Sequence, residues 1–301
     1  MTMKTTRPRP VLPTTGIDRA GQERLDPDLV ERLRADSGTH VLVVQDDRAA
    51  LTADRTLRFV AAGDVRENAQ WAFLGRDAEG AGLLVAALST DATVADDAQD
   101  WVPLRTIGGE LSDAEAGLLV EAVCLSRWLR DAPFCAACGE RTQLSMAGWS
   151  RLCSGCRREH FPRNDPAVIV AVTDASGERL LLGQNALWAA EGRYSTFAGF
   201  VEAGESLETA VVREVEEEAG VRVTDLRYRG SQAWPYPRSL MLGFEATAID
   251  ADEARPDGEE IVRVRWFTRA EAAAAMAGEG DARLPGAASI AHRLIAGWLA
   301  G

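Results

Sequence analysis

Two sets of side chains in this 301-residue chain have the types and spacing to do chemistry. Glu214, Glu217 and Glu218 stand at i, i+3 and i+4, which on a helix brings three carboxylates to one face while Glu216 points elsewhere. Ser206 suits the helix start and Gly220 its stop, and Val211, Val212 and Val215 supply an apolar side. Like charges at that spacing repel, and a cation among them relieves the repulsion. Magnesium and manganese prefer such oxygen ligands and commonly bridge to phosphates. The ordinary use of an acidic run is a solvated helix face, so the surrounding residues must decide. The second set is Cys135-x2-Cys138 and Cys153-x2-Cys156, fourteen residues apart. Two such turns offer four thiolates to one tetrahedral zinc, leaving no coordination position for a substrate water, so the zinc is structural. A hairpin of Thr142–Leu144 against Trp149–Leu152 would carry one turn to the other. His160 lies close by, and a backbone carbonyl or surface partner is expected for it.

The elements that position these groups can be read from hydrophobic patterning. The glycine-containing stretch Gly199–Glu205 leads into the acidic helix. Before it come strands at Ala167–Val172 and Leu180–Gly183, joined through a turn at Asp174–Gly177. Further strands are expected at Leu226–Gln232, Leu240–Ile249 and Val262–Phe267, and a last helix at Ala288–Leu299. The first half reads as strands at Thr39–Val44, Leu57–Val60, Ala69–Leu74 and Leu83–Leu88, then a helix from Ser112, where Ser112 and Glu115 form a capping box. Cys124 in that helix reads as a buried free thiol and His40 as an ordinary strand-end residue. Four regions follow: a polar lead-in at 1–25, an N-terminal α/β domain at 26–130 with a structural or dimer-forming role, a zinc ribbon at 131–163, and a catalytic domain at 164–301.

Composition bounds the partners. Hydrophobic residues make up 46% of the chain, enough for two cores. A net charge of −13 argues against broad nucleic-acid binding, so an anionic substrate must be received by metal ions and local cations. The cluster Arg151, Arg157, Arg158 and Arg163 is the exception, as a solubility feature or a contact to an RNA end. No run of apolar residues is long enough to span a membrane, and Met1–Pro13 carries no apolar leader, so a soluble cytoplasmic protein is expected.

The full pattern is Gly199-x5-Glu205-x7-Arg213-Glu214-Val215-x-Glu217-Glu218-x-Gly220-Val221, and with it the chain resembles the Nudix hydrolases. About ten residues on, Ser231-Gln232-Ala233-Trp234-Pro235-Tyr236-Pro237-Arg238-Ser239 is similar to the array marking the NADH pyrophosphatase branch, with Ala233 in place of proline and Tyr236 in place of phenylalanine. Together with the cysteine ribbon, the resemblance covers about residues 104–299 and is to the zinc-containing NAD(H) diphosphatases, the NudC-like group. It implies an α/β (α+β) architecture: a mixed-sheet Nudix α/β/α sandwich preceded by a zinc ribbon and a smaller α/β domain. It also implies metal-dependent hydrolysis of NADH or NAD to nicotinamide mononucleotide and AMP. Removal of an NAD cap from RNA, or another Nudix substrate such as ADP-ribose or a diadenosine polyphosphate, is the alternative. From a different class, a non-catalytic nucleotide sensor is argued against by the intact glutamates.

The same resemblance assigns roles. Glu214, Glu217, Glu218 and Glu260 hold Mg2+ or Mn2+, with Glu218 closest to the attacking water, while Arg213 and Glu205 keep loop and helix in register. Phe200, Gln232, Trp234, Tyr236, Ser239 and Ala291 contact substrate, and Phe161 is presented from the partner of a homodimer.

Overall fold

The computed structural model describes residues 17–65, 68–89 and 101–301, so the first sixteen residues of the expected lead-in lie outside it. Two units emerge, one from the described part of Leu12–Asn164 with Pro235–Arg238, the other from Asp165–Trp234 with Ser239–Gly301.

In the first unit, the β-branched and leucine runs form β1 (His40–Gln45), β2 (Arg48–Ala50), β3 (Phe59–Val60), β4 (Gln70–Arg76), β5 (Gly82–Leu88) and β6 (Trp101–Pro103). They order as β4-β5-β1-β2-β6, with β3 also on β1 and only the β1–β5 pair parallel. Helices α1 (Leu29–Ala35), α2 (Leu104–Ile107) and α3 (Asp113–Asp131) accompany this sheet. The capping box that starts α3 is formed as expected, Ser112 Oγ accepting from the Glu115 amide at 3.3 Å. Cys124 is free and partly buried, and burial pushes its thiol up to about 11. The short strands β2 and β6 and the single-turn α2 escaped the sequence reading because each is too brief to show a period.

A small sheet continues the same unit: β7 (Thr142–Ser145), β8 (Ser150–Cys153) and β9 (Glu159–His160). Its hairpin pairs Thr142 with Cys153 and Ser145 with Ser150. Gly148, at φ 91°, lets this hairpin lie against β4, since a Cβ there would fall 2.3 Å from that of Ala72. The Trp149 indole donates to the Phe73 carbonyl at 2.6 Å.

The second unit is a mixed sheet between helices. Its strands are β10 (Asp165–Thr173), β11 (Arg179–Asn185), β12 (Phe197–Phe200), β13 (Val223–Trp234), β14 (Ser239–Ala248) and β15 (Ile261–Thr268). The order is β13-β14-β10-β11-β15, with β12 also on β10 and only β10–β14 parallel. Side chains alternate across a strand, so β10 divides its residues between two cores. Val168, Val170 and Val172 pack with Ala210, Val211 and Val215 of α4 (Leu207–Ala219). Ile169 and Ala171 pack with Ala272 and Ala275 of α5 (Arg269–Met276) and with Leu294, Ile295 and Trp298 of α6 (Ile290–Ala300). This is the α/β/α sandwich that the resemblance implies. α5 was not anticipated: its run of alanines carries no apolar contrast, although Thr268 and Glu271 form a second capping box.

Candidate active site

The four cysteines converge first. Their sulfurs all lie within 4.8 Å of one another, and among the described residues this is the one such cluster of three or more ligating side chains. Cys135–Cys156 and Cys138–Cys153 are separated by 3.6 and 3.4 Å. Those distances are far beyond a disulfide of about 2.05 Å and close to the roughly 3.8 Å edge of a zinc–thiolate tetrahedron with bonds of about 2.3 Å. The sulfur of Cys153 faces the Cys156 amide at 3.4 Å, and that amide leads in pulling its thiol down to about 6, toward the ligating thiolate. His160 corrects the expectation: its Nε2 sits 3.2 Å from Cys135 Sγ, not on a carbonyl or a surface partner.

The glutamate helix is positioned by its two ends. Ser206 Oγ accepts from the Thr209 amide at 3.2 Å, and Gly220, at φ 66°, stops α4. Arg213 grips the preceding loop: its guanidinium makes bonds of 2.8 and 2.9 Å to the two Glu205 oxygens and one of 3.0 Å to the Phe200 carbonyl. This pair holds the Glu205 carboxyl down to about 2 and pushes Arg213 upward. Loop and helix are thereby tied at three points.

The three helix carboxylates occupy different environments. Glu217 is exposed and bonds Arg213 at 2.9 Å. Glu214 is partly buried, also bonds Arg213 at 2.9 Å, and is pushed up by burial. Its carboxyl fills the space left by Gly199, where a Cβ would lie 2.0–2.2 Å from it. Glu218 is only 6% exposed, and its Oε2 is buried without a hydrogen-bond partner. Burial first, then the charges of Glu260 and Glu214, drive its carboxyl up to about 8. A buried carboxyl with an unpartnered oxygen among other carboxyls costs stability unless a proton or a cation joins it.

Glu218 lines a cavity of about 210 Å³ in the second unit. Its walls include Glu260, Gln232, Trp234 and Ala291, together with Trp188 and Thr196. Gln232 is held by a 2.8 Å bond from its Nε2 to the Ala288 carbonyl, while its Oε1 and the Thr196 hydroxyl are buried without partners. Phe200, Phe161, Tyr236 and Ser239 are not in its lining. Phe200 and Phe161 are exposed and Ser239 is buried at the start of β14. Tyr236 follows the first unit: Arg105 lies 4.3 Å over its ring, and its hydroxyl accepts from the Arg105 amide at 3.0 Å.

Glu260 sits before β15 on a loop fixed by Asp257, whose carboxylate accepts from the amides of Glu259, Glu260 and Ile261. Sequence reading missed Asp257, Trp188, Thr196 and Asn185. The aspartate three residues ahead of Glu260 was the available signal for the first, since Asp bonds nearby downstream amides in turns.

A mixed-sheet sandwich with a glycine-led loop, an arginine–glutamate clamp and a glutamate-bearing helix defines a Nudix hydrolase. The NUDIX domain family matches residues 163–285, and the NADH pyrophosphatase zinc ribbon domain matches residues 130–161. The chain is 38% identical over 302 residues to the NAD-capped RNA hydrolase NudC of Mycobacterium tuberculosis (strain ATCC 25618 / H37Rv), covering 97% of this chain and 95% of that protein. It is also 38% identical over 200 residues to the NAD-capped RNA hydrolase NUDT12 of Homo sapiens, covering 63% of this chain and 43% of that protein. The chain belongs to the NudC-like family of zinc-ribbon Nudix hydrolases and is a diphosphatase.

Proposed function

We propose that the chain hydrolyses the diphosphate of NADH or NAD, adding water across the P–O–P linkage to give nicotinamide mononucleotide and AMP. The observation that carries this reading is the Glu218 carboxyl. It is buried, has an unpartnered oxygen, and faces a cavity whose walls combine Glu260 with Trp188 and Trp234. At about 210 Å³ the cavity is below the ~300–1,000 Å³ of most ligand pockets, so it takes one end of a dinucleotide and leaves the diphosphate near the carboxylates.

The donor types fit Mg2+ or Mn2+, which prefer carboxylate oxygens. A cation would have to draw the carboxylates together, since among the described residues the cysteines are the only group of three or more ligating side chains within 4.8 Å of one another. The Gly199 gap that admits the Glu214 carboxyl and the free Glu218 oxygen support that fit. Glu214, Glu217, Glu218 and Glu260 would hold the ions. Bound there, such ions neutralise the diphosphate and acidify a water. The chain's own groups do the rest. Arg213 and Glu205 fix the loop against the helix so that Glu214 and Glu218 keep their places, and Glu218, nearest the cavity, orients the attacking water. Trp234 and Trp188 offer aromatic faces to a base, each contributing about 1 kcal/mol beyond burial. Gln232 and Thr196 offer polar atoms to its edge. Phe200 and Ser239 serve the rest of the substrate, with Phe161 from a partner chain of a homodimer, whereas Tyr236 is engaged by Arg105. The unpaired cysteines fit a reducing, cytoplasmic setting.

The names of the mycobacterial and human relatives favour a second reading in which the same bond is cut on NAD-capped RNA. Turnover of free NADH and of NAD-capped RNA, compared at fixed salt with Mg2+ or Mn2+, decides between them. Glu218→Gln should lose activity on both, and wild-type turnover by that variant would remove the assignment.

A further inference from the structure

Asn185, the last residue of β11, joins two parts of the site that no motif connects. Its Oδ1 accepts from the Leu187 amide at 2.9 Å, capping the short helical turn Ala186–Glu191 that carries Trp188. Its Nδ2 donates to Glu260 Oε1 at 3.2 Å. The orientation of the amide is fixed by its partners, because a backbone N–H can only donate and a carboxylate can only accept. A backbone bond of 2.8 Å, from the Ala186 amide to the Glu260 carbonyl, runs beside this side-chain link. The register of β11 with β15 shifts between Gln184 and Asn185, so the strand ends here in a bulge next to Glu260. Glu260 and Trp188 both line the cavity.

We infer that Asn185 is a positioning residue that orients the Glu260 carboxylate toward the cation site and couples that carboxylate to the turn bearing Trp188. This rests on the proposed role of Glu260 as a cation ligand. One Glu260 oxygen is engaged by the Asn185 amide, which leaves the other available to a cation. When the carboxylate shifts on binding a cation, the turn shifts with it, through one side-chain bond and one backbone bond. The aromatic wall of the cavity therefore responds to the cation before any substrate arrives.

Two substitutions separate the halves of the link. Asn185→Ser keeps an acceptor for the Leu187 amide but is too short to reach Glu260, whereas Asn185→Ala removes both bonds. Mn2+ binding to the zinc-loaded, full-length protein is titrated by electron paramagnetic resonance, without substrate. Acrylamide quenching assigned to Trp188, as the difference from Trp188→Phe in each background, reports on the wall. Both Asn185 variants should bind Mn2+ about tenfold more weakly, the usual loss for a residue supporting a metal ligand. Wild-type protein should show Mn2+-dependent protection of Trp188. Asn185→Ser should weaken that response while keeping wild-type quenching without Mn2+, since the backbone bond remains, and Asn185→Ala should be more quenched even without it. A purely structural role would instead lower thermal stability in both variants while the Mn2+ response persisted. The inference is overturned if Asn185→Ser retains wild-type Mn2+ affinity and the Trp188 response. Glu260→Gln separates the two levels. Wild-type Mn2+ affinity in that variant removes the cation role of Glu260 and the inference with it. Weakened binding in Glu260→Gln with none in the Asn185 variants removes the inference alone.

Discussion

Gly199→Ala should leave the fold nearly as stable as before while disabling the reaction. The new Cβ would lie 2.0 Å from the Glu214 carboxyl carbon and 2.1 and 2.2 Å from its oxygens, where ordinary contact begins near 3.4 Å. The Glu214 carboxylate must retreat by about 1.4 Å, the order of misplacement that costs about 100-fold in rate. The stability cost is small because the atoms in the way are the end of a flexible side chain, and Arg213 keeps both bonds to Glu205 when it loses Glu214. One neutralised contact is worth about 1 kcal/mol, a fall of roughly 2–4 °C in melting temperature for a domain of this size. The assay is AMP release from NADH at saturating Mg2+, paired with thermal melting. A double variant with Glu214→Gln should lose little more than either single one, because both act on the same group. Turnover within about threefold of wild type, in a protein that melts as wild type, would show that the place of Glu214 is not what the Gly199 gap protects.

Other consequences follow from titration and from zinc. With Glu218 raised to about 8 in the cation-free protein, Mg2+ or Mn2+ binding at pH 7 should release about one proton. Calorimetry in buffers of different ionisation enthalpy measures this release, which Glu218→Gln should abolish; apparent affinity should climb with pH and level off above about 8. In the N-terminal unit, burial holds Glu121 up to about 7 although Arg19 lies 3.2 Å away. A carboxyl whose folded pKa exceeds its unfolded value of about 4.5 favours the proton-bound fold. Its contribution is therefore full below about pH 4.5 and falls away as pH rises to about 7. Urea unfolding of wild type and Glu121→Gln at pH 5 and pH 8 should show the variant gaining relative stability at the higher pH, and equal differences at both would contradict this. Cys153→Ser should reduce bound zinc, counted by metal analysis, and open the 131–163 segment to proteolysis; a variant that keeps its zinc would exclude the tetrathiolate.

Much of the site was legible because its chemistry is written in short spacings. The cysteine turns, the Ser112 cap and the two ends of α4 each depend on neighbours within a few residues, and each forms locally as read. What escaped depends on long-range contacts. Glu217 and Glu218 are adjacent in sequence and alike in type, yet one is exposed on Arg213 and the other buried with an unpartnered oxygen. Only the packing of α4 on the sheet distinguishes them. Tyr236 reads as an aromatic face for substrate, but the fold gives its ring and hydroxyl to Arg105, which is 131 positions earlier. His160 could not be placed against Cys135 without knowing that β9 pairs with β8. Asn185 lies in no motif, and its link to Glu260 appears only when the fold brings the two together from 75 positions apart.

On the proposed function, carboxylates around Glu218 serve hydrolysis of a dinucleotide diphosphate. Product analysis of NADH turnover in ¹⁸O-labelled water, run with wild type and Glu218→Gln in Mg2+ or Mn2+, addresses it most directly. Wild type should yield reduced nicotinamide mononucleotide and AMP in equal amounts, with label in one of the two phosphates, and Glu218→Gln should yield almost none. Intact NADH after incubation of the metal-loaded wild type, or equal product from the Glu218→Gln protein, would contradict the account.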